Sequence, residues 1–199
     1  MIDDRWVYIK KFSSNSFSME LDHVLKNGRF DNRFGYTTSQ QLDWKNKSFD
    51  MLIETGLRDY LNCLDVDIDK FNEEVKCRWY YWINKYETGA NQETHSHFES
   101  YPLSNKIVTI SFSYMYKIPT DGLSGNLLFV ENPPNHLLSP IRYNYMKKDV
   151  KMRQKEKEHR QFRQDELVMW PCELNHQVTV NKSDQTRVTV SGNIYMSRD

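Results

Sequence analysis

Net charge is the first thing this sequence lacks. Its 27 basic and 27 acidic residues cancel, so no global field recommends nucleic acid or an anionic membrane surface as a partner. Long apolar runs are missing too: none approaches the ~20 residues that a membrane-spanning helix needs. The opening segment, MIDDRWVYIKKF, has no apolar stretch of the secretory kind, and the expectation is a cytoplasmic chain without membrane contact. Cysteine is sparse. Cys63, Cys77 and Cys172 are odd in number, widely separated and never paired as CxxC. That speaks against a disulfide framework or a zinc knuckle and leaves thiols in a reducing compartment. No internal repeat is evident, so no solenoid or propeller is in prospect.

Aromatic residues, by contrast, make up 14% of the chain, with twelve Tyr, ten Phe and five Trp, a composition that favours strands. A length of 199 residues suffices for a single domain, 1–199, with a full core. In its first 74 residues RWVYIKKF reads as a short strand. Phe17, Leu21, Val24 and Leu25 then recur at helical spacing, with Ser16 placed to cap the start and Gly28 to stop the end. A second stripe of Phe49, Leu52, Ile53, Leu57, Tyr60, Leu61 and Leu64 predicts a stronger helix, with Gly56 on it where a neighbour can approach closely.

From residue 75 the period changes to two. VKCRWYYWINKYE, NKIVTISFSYMYKIP, GNLLFVEN, DELVMWP, HQVTVN and TRVTVSGNIYM are aromatic and β-branched runs bounded by turn residues. In the last, Val188, Val190 and Gly192 fall on one face and Arg187, Thr189, Ser191 and Asn193 on the other. Helices followed by strands argue an α+β fold, in which supporting helices within 1–74 cover one face of a β-barrel core at 75–199. Residues 131–164 break the rhythm as an insertion. Between Lys147 and Arg163 there are eight Lys or Arg and three Asp or Glu, which reads either as a solvated charged surface or as a flap beside an active-site mouth.

The chemistry gathers at four side chains. His95 and His97, one residue apart on an extended segment, point the same way. Two such imidazoles can occupy adjacent corners of a metal's coordination shell, and a third ligand from another strand leaves positions for co-substrate and O2. His176, which follows the Pro turn of VMWPCELNHQV, is the best third ligand. Imidazoles suit iron, copper, nickel and zinc alike, so these ligands do not choose the metal. Glu99 keeps another set open, because His97–Glu99 is an HxE in which the glutamate can replace His97 or support it from behind. Arg187, with Thr189 on the same face, points to the barrel interior, where an unpaired guanidinium is costly. A bidentate carboxylate from a bound keto-diacid relieves that cost; a rim arginine paired with Asp184 is the other reading. His23, His136 and His159 read as surface residues.

Five elements in this order resemble the Fe(II)/2-oxoglutarate-dependent oxygenases, in particular their small prolyl-hydroxylase-like group with bacterial and tailed-phage members. NKYETGANQETHSH, with Gly89 six residues before His95, is similar to the family's first iron strand. SFSYMYKIP, SGNLLF, DELVMWPCELNHQV and TRVTVSGN are similar to its later elements, so that the likeness covers roughly residues 79 to 196. It implies a double-stranded β-helix, the jelly-roll or cupin-like barrel. It also implies a dioxygenase that hydroxylates a peptide, protein (prolyl-type) or small-molecule substrate, with Fe(II) and 2-oxoglutarate as cofactors and O2 as co-substrate. His95, His97 and His176 would hold the metal and Arg187 the distal carboxylate of 2-oxoglutarate, with Tyr114 and Thr189 as hydroxyl donors to it. Asn84, Ser191 and Asn193 would line the pocket. The compartment would be the host cytoplasm for a phage-encoded chain. One departure stands out: the wider superfamily has Asp or Glu where this chain has His97.

Two rivals share the pattern. A cupin, a metal-dependent dioxygenase or isomerase without 2-oxoglutarate, would use the same three imidazoles plus a glutamate. Tyr101 and Pro102 stand where that glutamate is expected, and Arg187 would have no role. A non-enzymatic jelly-roll module would explain the strands and leave the histidines to coincidence.

Overall fold

The structure, a computed structural model, describes residues 6–32, 37–97, 107–130, 141, 144–146 and 161–198. Along the chain run β1 (Tyr8–Lys11), α1 (Ser18–Asn27), β2 (Ser39–Gln41), α2 (Lys47–Cys63), α3 (Ile68–Glu74) and β3 (Val75–Tyr86). β4 (Gln92–His95), β5 (Ile107–Lys117), β6 (Leu127–Phe129), β7 (Glu166–Pro171), β8 (His176–Val178) and β9 (Arg187–Arg198) follow. Six strands form one sheet in the order β1-β7-β5-β9-β3-β2, and β4-β8-β6 form a second. Every pairing is antiparallel. The two sheets face each other across an apolar layer that includes Met115, Val168 and Trp170 from the larger and Leu127, Phe129 and Val178 from the smaller. This is the jelly-roll expected, with helices on one outer face.

Period two decides what each face of the large sheet meets. Ile110, Phe112, Tyr114 and Tyr116 of β5, with Val188, Val190 and Ile194 of β9, join the helix-side core. That core is bound by the α2 stripe: Phe49, Leu52, Ile53, Leu57, Tyr60 and Leu61 are all buried. Gly56 lets α2 approach β7, since a Cβ there would lie 2.4 Å from Leu167 Cδ2. Asn46 starts the helix by accepting the Phe49 N–H at 3.0 Å.

Some local details depart from the sequence reading. Phe17, not Ser16, occupies the cap position of α1 and makes no side-chain cap bond, and Gly28 ends the helix in extended backbone. β2 and α3 carry too few residues to show a period, yet both form. The first 74 residues do more than support the barrel, because β1 pairs with β7 and β2 with β3. They supply both edges of the large sheet, whose ladder groups would otherwise be left open. Glu99, residues 131–140 and residues 147–160 lie outside the described residues. Within the insertion, Ile141 and Tyr145 are buried in the helix-side core, where Tyr145 meets Phe71 edge-on at 5.2 Å. That part of the segment therefore packs on the side of the sheet opposite the second one. Among the described residues no helix is long and apolar enough to cross a membrane.

Candidate active site

The long β3–β9 ladder builds the floor of a cleft between the two sheets. On its inner face Tyr86 stands opposite Arg187, Asn84 opposite Thr189, Trp82 opposite Ser191 and Tyr80 opposite Asn193. β5 extends these rows with Ser113 beside Ser191 and Ser111 beside Asn193. The small hydroxyls knit together: Ser113 Oγ lies 3.0 Å from Ser191 Oγ, and Asn84 Nδ2 donates to Ser191 Oγ at 3.0 Å. Gln40 of β2 donates to Asn84 Oδ1 at 3.1 Å and fixes that amide from behind. The cleft also takes in Gln92, Leu127, Trp170 and Val178.

The three histidines converge over this floor. His95 ends β4 directly opposite His176 at the start of β8, and the His97 backbone N–H donates to the Cys172 carbonyl at 2.9 Å. Their ligating nitrogens all lie within 4.8 Å of one another. Each ring has its Nδ1 against a carbonyl oxygen: His95 on Glu93 O at 2.7 Å, His176 on Leu174 O at 3.0 Å, His97 on Asn193 Oδ1 at 2.6 Å. A carbonyl oxygen only accepts, so each Nδ1 carries the proton and each Nε2 keeps a lone pair. Nε2 of His95 and Nε2 of His97 are nevertheless only 3.1 Å apart. Two lone pairs at that range repel unless a cation lies between them, and cis imidazole nitrogens on a first-row metal stand about 3 Å apart.

Burial keeps the rings neutral. It holds the His97 imidazole down at about 4, with the neighbouring His95 adding to the effect. The same cause lowers His95 and carries His176 well below the ordinary range. The ligand-competent form is therefore in place at neutral pH without a proton to remove.

Arg187 lies on the same floor and is 2% exposed. Its guanidinium sits 4.9 Å from the centre of the Tyr86 ring, and Nη2 meets Met115 Sδ at 3.4 Å. Among the described residues Nε and Nη1 have no hydrogen-bond partner. Burial pulls its pKa down and the Tyr86 phenol partly opposes that shift. Among the described residues lining the cleft there is no carboxylate. The reading of a rim arginine paired with Asp184 fails on burial alone.

A family model of 2OG-Fe(II) oxygenases matches residues 80–193. The chain belongs to this family. No curated protein sequence matches the oxygenase, and its solved relatives are remote. Its fold is similar to that of the viral collagen prolyl hydroxylase of Paramecium bursaria Chlorella virus-1 in complex with 2-oxoglutarate, with a TM-score of 0.60 at 12% identity over 96% of each chain. A prolyl-4-hydroxylase of Pseudomonas putida superposes with a TM-score of 0.59 at 10% identity, over 98% of this chain and 94% of that one. HygX from Streptomyces hygroscopicus, with nickel and 2-oxoglutarate bound, gives 0.57 at 11% identity over 96% and 83%. At these identities the likeness speaks for the fold. With the family match, the cupin and non-enzymatic readings give way.

The oxygenase uses ferrous iron and 2-oxoglutarate, and its residues fit both: three imidazoles whose ligating nitrogens come together for the metal, and a buried guanidinium without a carboxylate partner among the described residues lining the cleft. Thr189 lies one ladder step from Arg187, on the cleft face. Tyr114 does not belong here. Its side chain is in the helix-side core, and its hydroxyl donates to Phe12 O at 2.9 Å and Asp165 Oδ1 at 2.8 Å, so it is corrected from 2-oxoglutarate donor to structural residue. The tyrosine that does meet Arg187 is Tyr86, whose hydroxyl donates to Gln92 Oε1 at 2.9 Å. Gln92 in turn reaches to 3.3 Å from His95 Nε2. The sequence carried no sign of either role, because both depend on the cross-strand register.

Proposed function

We propose that this oxygenase hydroxylates a peptide or protein side chain of the prolyl type, holding iron through His95, His97 and His176 and 2-oxoglutarate through Arg187. The observation that carries the proposal is the buried Arg187 guanidinium with two unbonded nitrogens beside a metal-competent cluster. A buried cation without a counter-charge costs several kcal/mol, and a dicarboxylate entering the cleft would supply the counter-charge. Support for a peptide substrate comes from two prolyl hydroxylases among its structural relatives and from the aromatic wall next to the cluster. There the Trp82 ring lies 5.9 Å from His97 and 5.8 Å from Tyr80. Such a wall offers apolar area to a pyrrolidine or another small ring.

The roles of the chain's own groups follow from placement. Arg187 binds the distal carboxylate by its forked donors, and the Tyr86 ring keeps the guanidinium in plane. Thr189 offers a hydroxyl to the same carboxylate. The paired serines and Asn84 form a neutral polar floor that adds no competing charge. Leu127, Trp170 and Val178 exclude water from the inner wall. With iron and 2-oxoglutarate bound, the site supplies oxidative decarboxylation of the keto acid to succinate and CO2, coupled to insertion of one oxygen atom of O2 into a substrate C–H bond.

The test is succinate formation from 2-oxoglutarate with ferrous iron, first without substrate and then with proline-containing peptides and free amino acids. Slow uncoupled turnover that rises with a peptide is the expected result. Arg187→Met should lose 2-oxoglutarate binding by about 100-fold while still taking up metal, because truncating one partner of a buried charge pair costs about 2–5 kcal/mol. Protein shown to hold iron yet giving no succinate at all would sink the reading, and stimulation by amino acids alone would move the substrate to small molecules.

A further inference from the structure

We infer that Asn193 is the positioning residue for the metal corner at His97, with Ser111 completing the fixture; this rests on His97 being a ligand. The three imidazoles are not held in the same way. His95 and His176 each find an acceptor two residues back in their own chain segment, the carbonyls of Glu93 and Leu174. Those acceptors come with the backbone, whatever side chains surround them. His97 has instead a side-chain acceptor from β9, 96 positions away: Asn193 Oδ1 at 2.6 Å.

That oxygen is itself fixed. Ser111 Oγ donates to it at 3.0 Å and stands 3.1 Å from His97 Nδ1. Asn193 is clamped between two ladders, opposite Tyr80 of β3 and Ser111 of β5, so its amide is carried by the middle of the sheet. With its oxygen toward the ring, Asn193 forces the proton onto Nδ1 and leaves Nε2 bare for metal. With its NH2 toward the ring, the same residue would place the proton on Nε2 and close that corner. In the first arrangement the Ser111 hydroxyl donates to the oxygen and braces the amide in place. A neutral amide also leaves the ring an ordinary imidazole, where a carboxylate in its place would push it toward imidazolate.

Three variants and two measurements separate this from a packing role. Wild type, Asn193→Leu, Asn193→Asp and Ser111→Ala are titrated with Co(II) alone, in the absence of 2-oxoglutarate, by calorimetry and by the visible absorption of bound cobalt. Long-range 1H–15N spectra of the metal-free proteins report which His97 nitrogen carries the proton. Asn193→Leu should weaken Co(II) binding about 10- to 100-fold and lose the pure Nδ1–H signature of His97. Asn193→Asp keeps an acceptor and should bind within a few-fold of wild type or tighter, and Ser111→Ala should fall between. Asn193→Leu binding cobalt like wild type, Asn193→Asp failing as badly as Asn193→Leu, or a wild-type His97 protonated on Nε2 would each overturn the assignment. Wild type that takes up no Co(II) while His97 is Nδ1-protonated would overturn the metal reading itself, and with it this role for Asn193.

Discussion

A single residue shows how far likeness can mislead where strand phase is at stake. Similarity to the oxygenase pattern placed Tyr114 at the keto-acid carboxylate, yet Ser111, Ser113 and Met115 hold the inner face of β5 and put Tyr114 on the other side. The alternation was legible: small polar residues at 111 and 113 against aromatics at 112, 114 and 116 mark which face meets a polar cleft and which a core. The His-x-His pair and His176 were legible for a different reason, since chemistry-bearing residues at strand spacing have few structural uses. Tyr86 and Gln92 were not, because nothing local records that Tyr86 will pair with Arg187 across the ladder. Tyr114→Phe should therefore leave the KM for 2-oxoglutarate unchanged within twofold. Its cost should fall on stability, about 1–3 kcal/mol in urea unfolding, because Asp165 and the Phe12 carbonyl lose their donor. A large rise in KM with no loss of stability would return Tyr114 to the site.

At the level of elements, β9 does the most. Its inner face carries Arg187, Thr189, Ser191 and Asn193, and its outer face packs Val188, Val190 and Ile194 against the helices. Both faces could be assigned from the alternation alone, as could α2 from its stripe. β1 and β2 escaped that logic as sheet edges, since pairing with β7 and β3 is a long-range event that four- and three-residue segments cannot announce. Between the two outward valine positions and Ile194 sits Gly192, where β3 and β5 crowd in. A Cβ there would lie 2.4 Å from the Tyr80 carbonyl oxygen, 2.5 Å from Phe112 Cζ and 2.8 Å from Tyr81 Cβ. Two of these neighbours belong to backbone or stem and cannot swing away. Gly192→Ala is expected to cost about 1–3 kcal/mol, read as a melting temperature lower by roughly 2–4 °C for each kcal/mol. An unchanged melting temperature would mean that β3 and β9 have room to separate there.

Across the whole molecule, the large sheet divides two unlike interiors. The inner one keeps its charge for the cleft, whereas the outer one hides phenols under the helices. Tyr8, Tyr81, Tyr114 and Tyr116 all belong to that outer core. Burial pushes the Tyr81 hydroxyl up to about 12, and burial first, then Asp59, Asp165 and Asp22 respectively, raises those of Tyr8, Tyr114 and Tyr116. A phenol whose folded pKa lies above its unfolded value of about 10 stabilises the fold fully below pH 10, and the contribution is lost as pH climbs through the folded value. The phenols should thus make the free energy of unfolding decline from about pH 10 to 12, after an earlier and smaller fall from about pH 8.5 due to the Cys77 and Cys172 thiols, which burial also raises. Absorbance at 295 nm should show these tyrosines titrating later than the exposed ones among the twelve, together with the loss of the far-ultraviolet dichroism. Tyr81→Phe should make the decline shallower by removing one of the linked protons. If all the tyrosines ionise near pH 10 while the dichroism stays intact, the phenols are reached by water without unfolding, and the helical layer is not the seal that its packing describes.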